Sequence, residues 1–373
     1  MWLFVDHDRI CGSWSFSFPL RGKEKDICGS WPPPRLGRTT LKRKEEMNMK
    51  RRTLALLLGA ALALTLTACG GDSGTSQPPA GDSQSPVSEA PVESETPAVE
   101  IPPVEDLTGV DTSAIPGVED GVLTVGMECV YAPYNWTQTD DSNGAVPIVN
   151  NPGSYANGYD VMIAKRICEA YGWELEVMAL EWGGLTPGLQ SGVIDVAIAG
   201  QSMTADRLAE VDMAGPYYYA TIVCVTTKDS QYASATSIDD LAGGLCVSQS
   251  GTIWHTTCLP QIPDAQIQSP ADTAPAMIMA LESGTVDFIC TDMPTATAAV
   301  AKNDNLVILN FSGTDGDFQF ASEEERAENV NIGMSVVKGN TQLKDALDTV
   351  IGALNEDQFN AIMAEAIAVQ PEI

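Results

Sequence analysis

Beyond Cys69 the chain has almost no positive charge. Eight lysines and arginines stand there against 44 acidic residues, a net of −36, where the whole 373-residue chain carries −30. So acidic a polypeptide repels phosphate backbones and anionic surfaces, which excludes nucleic acid as a partner. Histidine is nearly absent too. His7 lies in a basic N-terminal segment, and His255 has no cysteine or carboxylate at ligand spacing, so neither a metal site nor a cofactor is expected. No C-x-x-C pair occurs among Cys129, Cys168, Cys224, Cys246, Cys258 and Cys290. Their irregular spacing, with several in apolar runs, predicts small buried hydrophobes rather than a disulfide framework. The short apolar run from Leu54 to Leu66 cannot cross a bilayer as a stable helix.

That run instead follows the basic Lys50-Arg51-Arg52 and leads to Leu66-Thr67-Ala68-Cys69-Gly70. Charge, apolar length and cleavage residues agree on a bacterial lipoprotein signal over 47–68, with Cys69 as the lipidated first residue. Residues 1–46 are basic, rich in Trp, Pro and Arg, and have no structural period; Met47 or Met49 is the expected start. Residues 69–117 are rich in Gly, Ser, Pro, Thr and Glu, and are expected to form the lipid anchor and a disordered tether. The remainder, from 118 on, is long enough for two lobes with cores of their own.

The folded part is organised around residues 192–219. Val193 to Ile198 reads as a buried strand bounded by Gly192 and Gly200. A polar loop, Gly200-Gln201-Ser202-Met203, leads to Thr204, the expected N-cap of a short helix. Arg207 then falls in the first helical turn, where the peptide dipoles disfavour a cation. Either it pairs in solvent with Asp206, Glu210 or Asp212, or it holds an anion together with free backbone N–H groups. The pattern recurs: Leu189-Gln190-Ser191-Gly192-Val193-Ile194-Asp195 is echoed by Leu281-Glu282-Ser283-Gly284-Thr285-Val286-Asp287. Two such copies, each leading to a polar helix start, predict two similar α/β halves.

Along the chain, Val122 to Met127 reads as a first strand ending in the loop Glu128 to Trp136. Residues 137–157 read as a long polar loop, followed by an amphipathic helix up to Tyr171-Gly172 and a strand from Glu174 to Leu180. The β-rich run Thr221 to Thr227 is expected to cross between lobes, and Leu306 to Asn310 to return. Gln249-Ser250-Gly251-Thr252 is a glycine turn into a helix, and helices over 341–354 and 357–368 close the chain. This β-α order predicts mainly parallel sheets, with sites at the carboxyl ends of strands.

The segments V-G-x-x-x-x-Y-A-P-Y from Val125, E-W-G-G-L-x-P-x-L-Q-S-G-x-I-D from Glu181, T-x-x-R from Thr204 followed by V-D-x-x-x-P-Y-Y, Q-S-G-T from Gln249 and T-D-x-P from Thr291 occur in that order. In order and spacing they resemble family 3 extracellular solute-binding proteins, the amino-acid receptors of bacterial ABC importers. The resemblance implies a two-lobed periplasmic-binding-protein-like fold of type II, with lobe 1 over 118–219 plus 314–373 and lobe 2 over 220–313. Two hinge crossings would let the lobes close on ligand. It also implies site roles. Arg207, helped by Gly200, Ser202 and Thr204, resembles the clamp for the ligand α-carboxylate, and Gly251 and Thr252 the lobe 2 loop that meets it. Asp292 resembles the acid that receives the α-ammonium. Tyr131 and Trp182 match the aromatic pair around the side chain, and Glu128 falls where binders of cationic amino acids place an acid. The chain departs from the family in the length of 137–157, whose Asn150, Asn151 and Tyr155 are expected at the cleft rim, and in Ile253 and Met162.

A non-enzymatic monomer tethered by lipid outside the cytoplasm and delivering an amino acid to a membrane permease is therefore expected. A polar or cationic ligand is favoured, with lysine, arginine or ornithine ahead of glutamine and histidine. The alternative is an enzyme, because cyclohexadienyl and arogenate dehydratases share the fold; Glu128 would then be the acid.

Overall fold

The computed structural model describes residues 99–371. The segment 1–46, the signal sequence 47–68, Cys69 and the tether as far as 98 lie outside the described residues. In chain order the strands are β1 (Val122–Met127), β2 (Val130–Tyr131), β3 (Asn135–Gln138), β4 (Val146–Pro147), β5 (Tyr155–Asn157), β6 (Glu174–Ala179), β7 (Val196–Ser202), β8 (Val211–Tyr218), β9 (Ile222–Thr227), β10 (Leu245–Val247), β11 (Gln266–Ile267), β12 (Phe288–Asp292), β13 (Leu306–Leu309) and β14 (Ile332–Val337). The α-helices are α1 (Tyr159–Tyr171), α2 (Leu185–Ser191), α3 (Ala205–Glu210), α4 (Ala274–Glu282), α5 (Met293–Lys302), α6 (Glu323–Val330), α7 (Thr341–Ile351) and α8 (Glu356–Val369).

The strands form the two lobes of a type II binding-protein fold. Lobe 1 carries a sheet in the order β6-β1-β7-β14-β8, and lobe 2 one in the order β11-β10-β12-β9-β13. The central strand β7 is buried along its whole length. It begins three residues later than the apolar run suggested, because Asp195 turns its carboxylate onto the N–H of Thr124 (2.8 Å). Asp287 does the same to Leu245 in lobe 2, also at 2.8 Å. The repeated Ser-Gly-x-x-Asp thus ties each helix exit to the neighbouring parallel strand of its own sheet.

Three neighbouring strands of each sheet pair in parallel: β6, β1 and β7 in lobe 1, and β11, β10 and β12 in lobe 2. β14 in lobe 1 and β9 in lobe 2 run against them and pair antiparallel on both sides. β8 and β13 beyond them point the same way as the first three, so half of the pairings are antiparallel where mainly parallel sheets were expected. The reason is directional. The βα units end at the cleft, whereas β9 and β14 bring the chain in from the other lobe and therefore start there: Ile222 pairs with Asp292, and Ile332 with Ser202. Neither Thr221–Thr227 nor Leu306–Asn310 is the crossing; β9 and β13 pair inside the lobe 2 sheet. The chain passes between sheets at residues 219–221 and again at Asn331.

Residues 314–330 stay with lobe 2, contrary to the expected boundary at 313. Phe311, Phe318 and Val330 are buried in one cluster with Ile222, Cys224 and Cys290. Arg326 pairs with Asp317 at 2.8 Å, and Gly316 accepts the N–H of Ile238 (2.9 Å). The opposite face of β9, Val223 and Val225, joins the larger core that includes lobe 1. This is the two-residue alternation of a strand buried on both faces. The six cysteines are free and buried.

Two stretches of polar composition are ordered. Residues 130–157 contribute β2, β3, β5 and β4 to a small antiparallel sheet rather than a loop. Asn150 exchanges hydrogen bonds with the backbone of Ala179 (2.7 and 3.0 Å) at the end of β6. The expected tether to 117 is docked from 99 onward. Ile101, Val104, Leu107 and Ile115 pack on the lobe 1 core, Leu107 donates its N–H to Ala170 (2.8 Å), and Asn340 donates to Pro116 (2.8 Å). Four part-buried aliphatic side chains contribute on the order of 1 kcal/mol each, and the hydrogen bonds to Ala170 and from Asn340 add to them.

Candidate ligand-binding site

The loops that leave β1, β6, β7, β10 and β12 converge between the lobes. After β1, Glu128 is followed by Cys129, which has a φ of 58°. Its N–H is held by Asn135 (2.7 Å), and Thr137 donates to its carbonyl (2.9 Å). Tyr131 then faces Gly200 so closely that a Cβ there would stand 2.7 Å from the ring. Gly200 also has a φ of 63°, so glycine is required twice over.

Thr204 caps α3 by accepting the N–H of Arg207 (3.2 Å), as the sequence predicted, and its hydroxyl proton stays free to donate. The Arg207 guanidinium lies over the Trp182 ring, 5.5 Å from its centroid, and donates to the Ser202 carbonyl. Burial lowers its pKa to about 10, opposed by nearby Glu210, so it remains charged at neutral pH. Neither Asp206, Glu210 nor Asp212 forms an ion pair with it; among the described residues the ion pairs are Arg326–Asp317, Lys338–Asp212 and Lys344–Asp348.

Lobe 2 supplies Gly251 and Thr252, whose hydroxyl donates to the Gln249 carbonyl (2.8 Å). Tyr131, Trp182, Gly200, Ser202 and Arg207 from lobe 1 enclose a cavity with Gln249, Gly251 and Thr252 from lobe 2. Past Arg207 and Gly251 it meets a wider groove, where Thr204 lies. Of the other predicted residues, Glu128 and Asp292 stand behind this wall. Glu128 accepts from the Gln249 amide at 3.4 Å; burial raises its pKa to about 7, with Glu181 adding to the rise and Gln249 opposing it. Gln249 itself carried no site signal, because what makes it one is the acid facing it across the cleft.

Asp292 is wholly buried. One carboxylate oxygen caps α5 at the Thr295 N–H (2.9 Å), and the other accepts from the Tyr131 hydroxyl (3.2 Å). Burial raises its pKa, against hydrogen bonds from Thr295 and Tyr131 that favour the charged form. Among the described residues the Tyr134 hydroxyl and Thr295 Oγ1 are buried without hydrogen-bond partners. A half-buried guanidinium on one lobe and a buried carboxylate on the other, neither in an ion pair among the described residues, suit a zwitterion.

The model of the bacterial extracellular solute-binding proteins, family 3, matches residues 123–367. The chain belongs to that family. It therefore works outside the cytoplasm. It is similar to a probable histidine-binding protein of Campylobacter jejuni, 30% identical over 210 residues that cover 56% of this chain and 75% of the relative. It is 25% identical over 240 residues to the L-cystine-binding protein TcyJ of Escherichia coli, covering 64% and 79%. Among solved structures, a mutant of arginine-bound ArgBP from T. maritima superposes with a TM-score of 0.51 at 28% identity, over 65% of this chain and all of that one. These relatives are named as binding proteins, not as enzymes.

Proposed function

We propose that this family member is the amino-acid receptor of an ABC importer, a monomer held outside the cytoplasm by lipid on Cys69, and that it takes a polar or cationic amino acid. Arg207 with Ser202, Gly251 and Thr252 would receive the α-carboxylate. Asp292 would receive the α-ammonium beside Tyr131, since a carboxylate accepts several hydrogen bonds at once. The observation that carries this reading is the pair Arg207 and Asp292, on opposite lobes of one cleft and without ion-pair partners among the described residues. Glu128, with Glu181 nearby, leaves the side-chain end acidic, and among the described residues Arg207 is the one base on the cavity wall. That arrangement disfavours glutamate and aspartate as ligands.

A thermal-shift panel of the twenty amino acids and ornithine tests it. A ligand at a hundredfold its Kd should stabilise the protein by about 2.7 kcal/mol. A panel without any shift would refute the receptor reading, and a shift with glutamate or aspartate alone would overturn the ligand class. Cys69→Ala should release the protein from membranes, because two acyl chains hold through about 0.8 kcal/mol per buried methylene. Retention after alkaline washing would remove the anchor from the proposal. One observation favours a second reading: a carboxyl with a pKa near 7, as at Glu128, suits a general acid. Turnover of prephenate or arogenate that Glu128→Gln abolishes would put the dehydratase in place of the receptor.

A further inference from the structure

Two residues beside the cleft hold left-handed backbones, Cys129 with a φ of 58° and Gly200 with a φ of 63°. Each has its N–H taken by a side chain that a third residue orients. Cys129 donates to Asn135 Oδ1 (2.7 Å), and Asn135 Nδ2 donates to Asp160 Oδ2 (2.7 Å). Gly200 donates to the Tyr217 hydroxyl (3.0 Å), and that hydroxyl donates to Asp160 Oδ1 (2.7 Å). Asp160, Asn135 and Tyr217 are all completely buried. Asp160 is fixed in its turn by its own N–H, which donates to the Tyr134 carbonyl (2.8 Å).

The donor directions make the carboxylate specific. Tyr217 has one proton, and only when Asp160 takes it does a lone pair face Gly200. Asn135 shows its oxygen to Cys129 only when its amino group faces Asp160. An ionised carboxylate accepts on both oxygens and satisfies both demands; an amide would turn a donor toward one of two donors. We infer that Asp160 is the positioning residue of the ligand site, setting through Asn135 and Tyr217 the two left-handed turns that carry Glu128, Tyr131 and Ser202 to the cleft. Burial raises its pKa to about 7, and the titratable groups around it are Cys129, Tyr159 and Tyr217 in lobe 1 and Asp292 across the cleft. The effect on affinity rests on the proposed amino-acid site; the effect on the two turns does not.

Hydrogen–deuterium exchange of the full chain, read at single residues, tests the inference with three variants. Asp160→Asn should speed exchange at both Cys129 and Gly200 by about tenfold, the loss expected for a hydrogen bond tied to a charged group, while β14 keeps its protection. Tyr217→Phe should act at Gly200 alone, and Asn135→Ala at Cys129 alone. Calorimetry with L-arginine and L-histidine should show weaker binding in every variant. Wild-type protein that binds neither probe in this titration nor any amino acid in the thermal-shift panel would refute the receptor reading, and exchange would still judge Asp160. Wild-type exchange at both amides in Asp160→Asn, or a uniform rise across lobe 1, would overturn the inference. Should Asp160→Asn fail to fold, the separate effects of Tyr217→Phe and Asn135→Ala decide it: selective loosening supports the two chains, and its absence removes them.

Discussion

Gly251 of lobe 2 lies against the indole edge of Trp182 of lobe 1, so that a Cβ at position 251 would stand 2.8 Å from Nε1. The same indole carries the Arg207 guanidinium on its face. The approach exists only with the lobes together, so position 251 reports on closure. Gly251→Ala should hold the cleft ajar. Overpacking costs about 1–3 kcal/mol, which corresponds to roughly tenfold or more in Kd. The left-handed backbone, at a φ of 68°, should lower the stability of lobe 2 by about 1 kcal/mol in addition. X-ray scattering with and without saturating amino acid would show the variant less compact in both states. Wild-type compaction with wild-type affinity would mean that Trp182 yields freely.

Arg207→Ala should abolish amino-acid binding and leave the melting temperature close to wild type, since no ion pair is lost with the side chain. Hydrogen bonds to charged groups contribute about 1.5–3 kcal/mol each, and a ligand carboxylate enclosed without its partner suffers further. Arg207→Lys should recover little, because an ammonium cannot reproduce the planar fork. Calorimetry that returns near-normal affinity for the alanine variant would remove the carboxylate role.

Local signals explain what the sequence made legible. Thr204 and Arg207 are three residues apart, so cap and first turn were visible from spacing alone. The echo of Asp195 in Asp287 was visible as a repeat, although its use, a bond to the neighbouring strand, was not. What escaped depends on partners far away in the chain. Residues 101–115 read as linker because Ile101, Val104, Leu107 and Ile115 have no period of their own and are partly buried by lobe 1. The 314–330 segment was assigned to the wrong lobe, since Phe318 and Val330 find their partners some hundred residues earlier, near Ile222. Asp160 looked like an ordinary residue of a helical first turn; only the tertiary structure brings Asn135 and Tyr217 to it.

Asp292→Asn separates the two jobs of one side chain. Asparagine caps helices as well as aspartate does, so the bond to the Thr295 N–H survives. Burial already disfavours the charged form of Asp292, so the stability of the protein without ligand should hold or rise. Binding should fall by about thirtyfold or more, because losing one member of a buried charge pair costs about 2–5 kcal/mol. A variant that is destabilised yet binds as wild type would make Asp292 a cap and nothing more.

Protonation should move stability and affinity in opposite directions near neutrality. Burial raises Glu128 from its ordinary 4.5 and Asp160 from 3.8, each to about 7. A carboxyl with a raised folded pKa binds its proton more tightly in the folded state. Its contribution to stability is complete below the unfolded value and is lost as pH rises through the folded one. The protein without ligand should therefore melt higher at pH 5.5 than at pH 7.5, by on the order of 1 kcal/mol per pH unit for each group. A cationic side chain on the ligand needs Glu128 ionised, so affinity for L-arginine should weaken by up to about tenfold per unit below pH 7. Glu128→Gln should flatten most of that slope and weaken binding at pH 7.5. L-Glutamine, with no charge to set against Glu128, should show less of it in the wild type. An arginine affinity that stays constant from pH 5.5 to 7.5 would take Glu128 away from the ligand tail and leave the side-chain end of the cleft to Gln249 and Trp182.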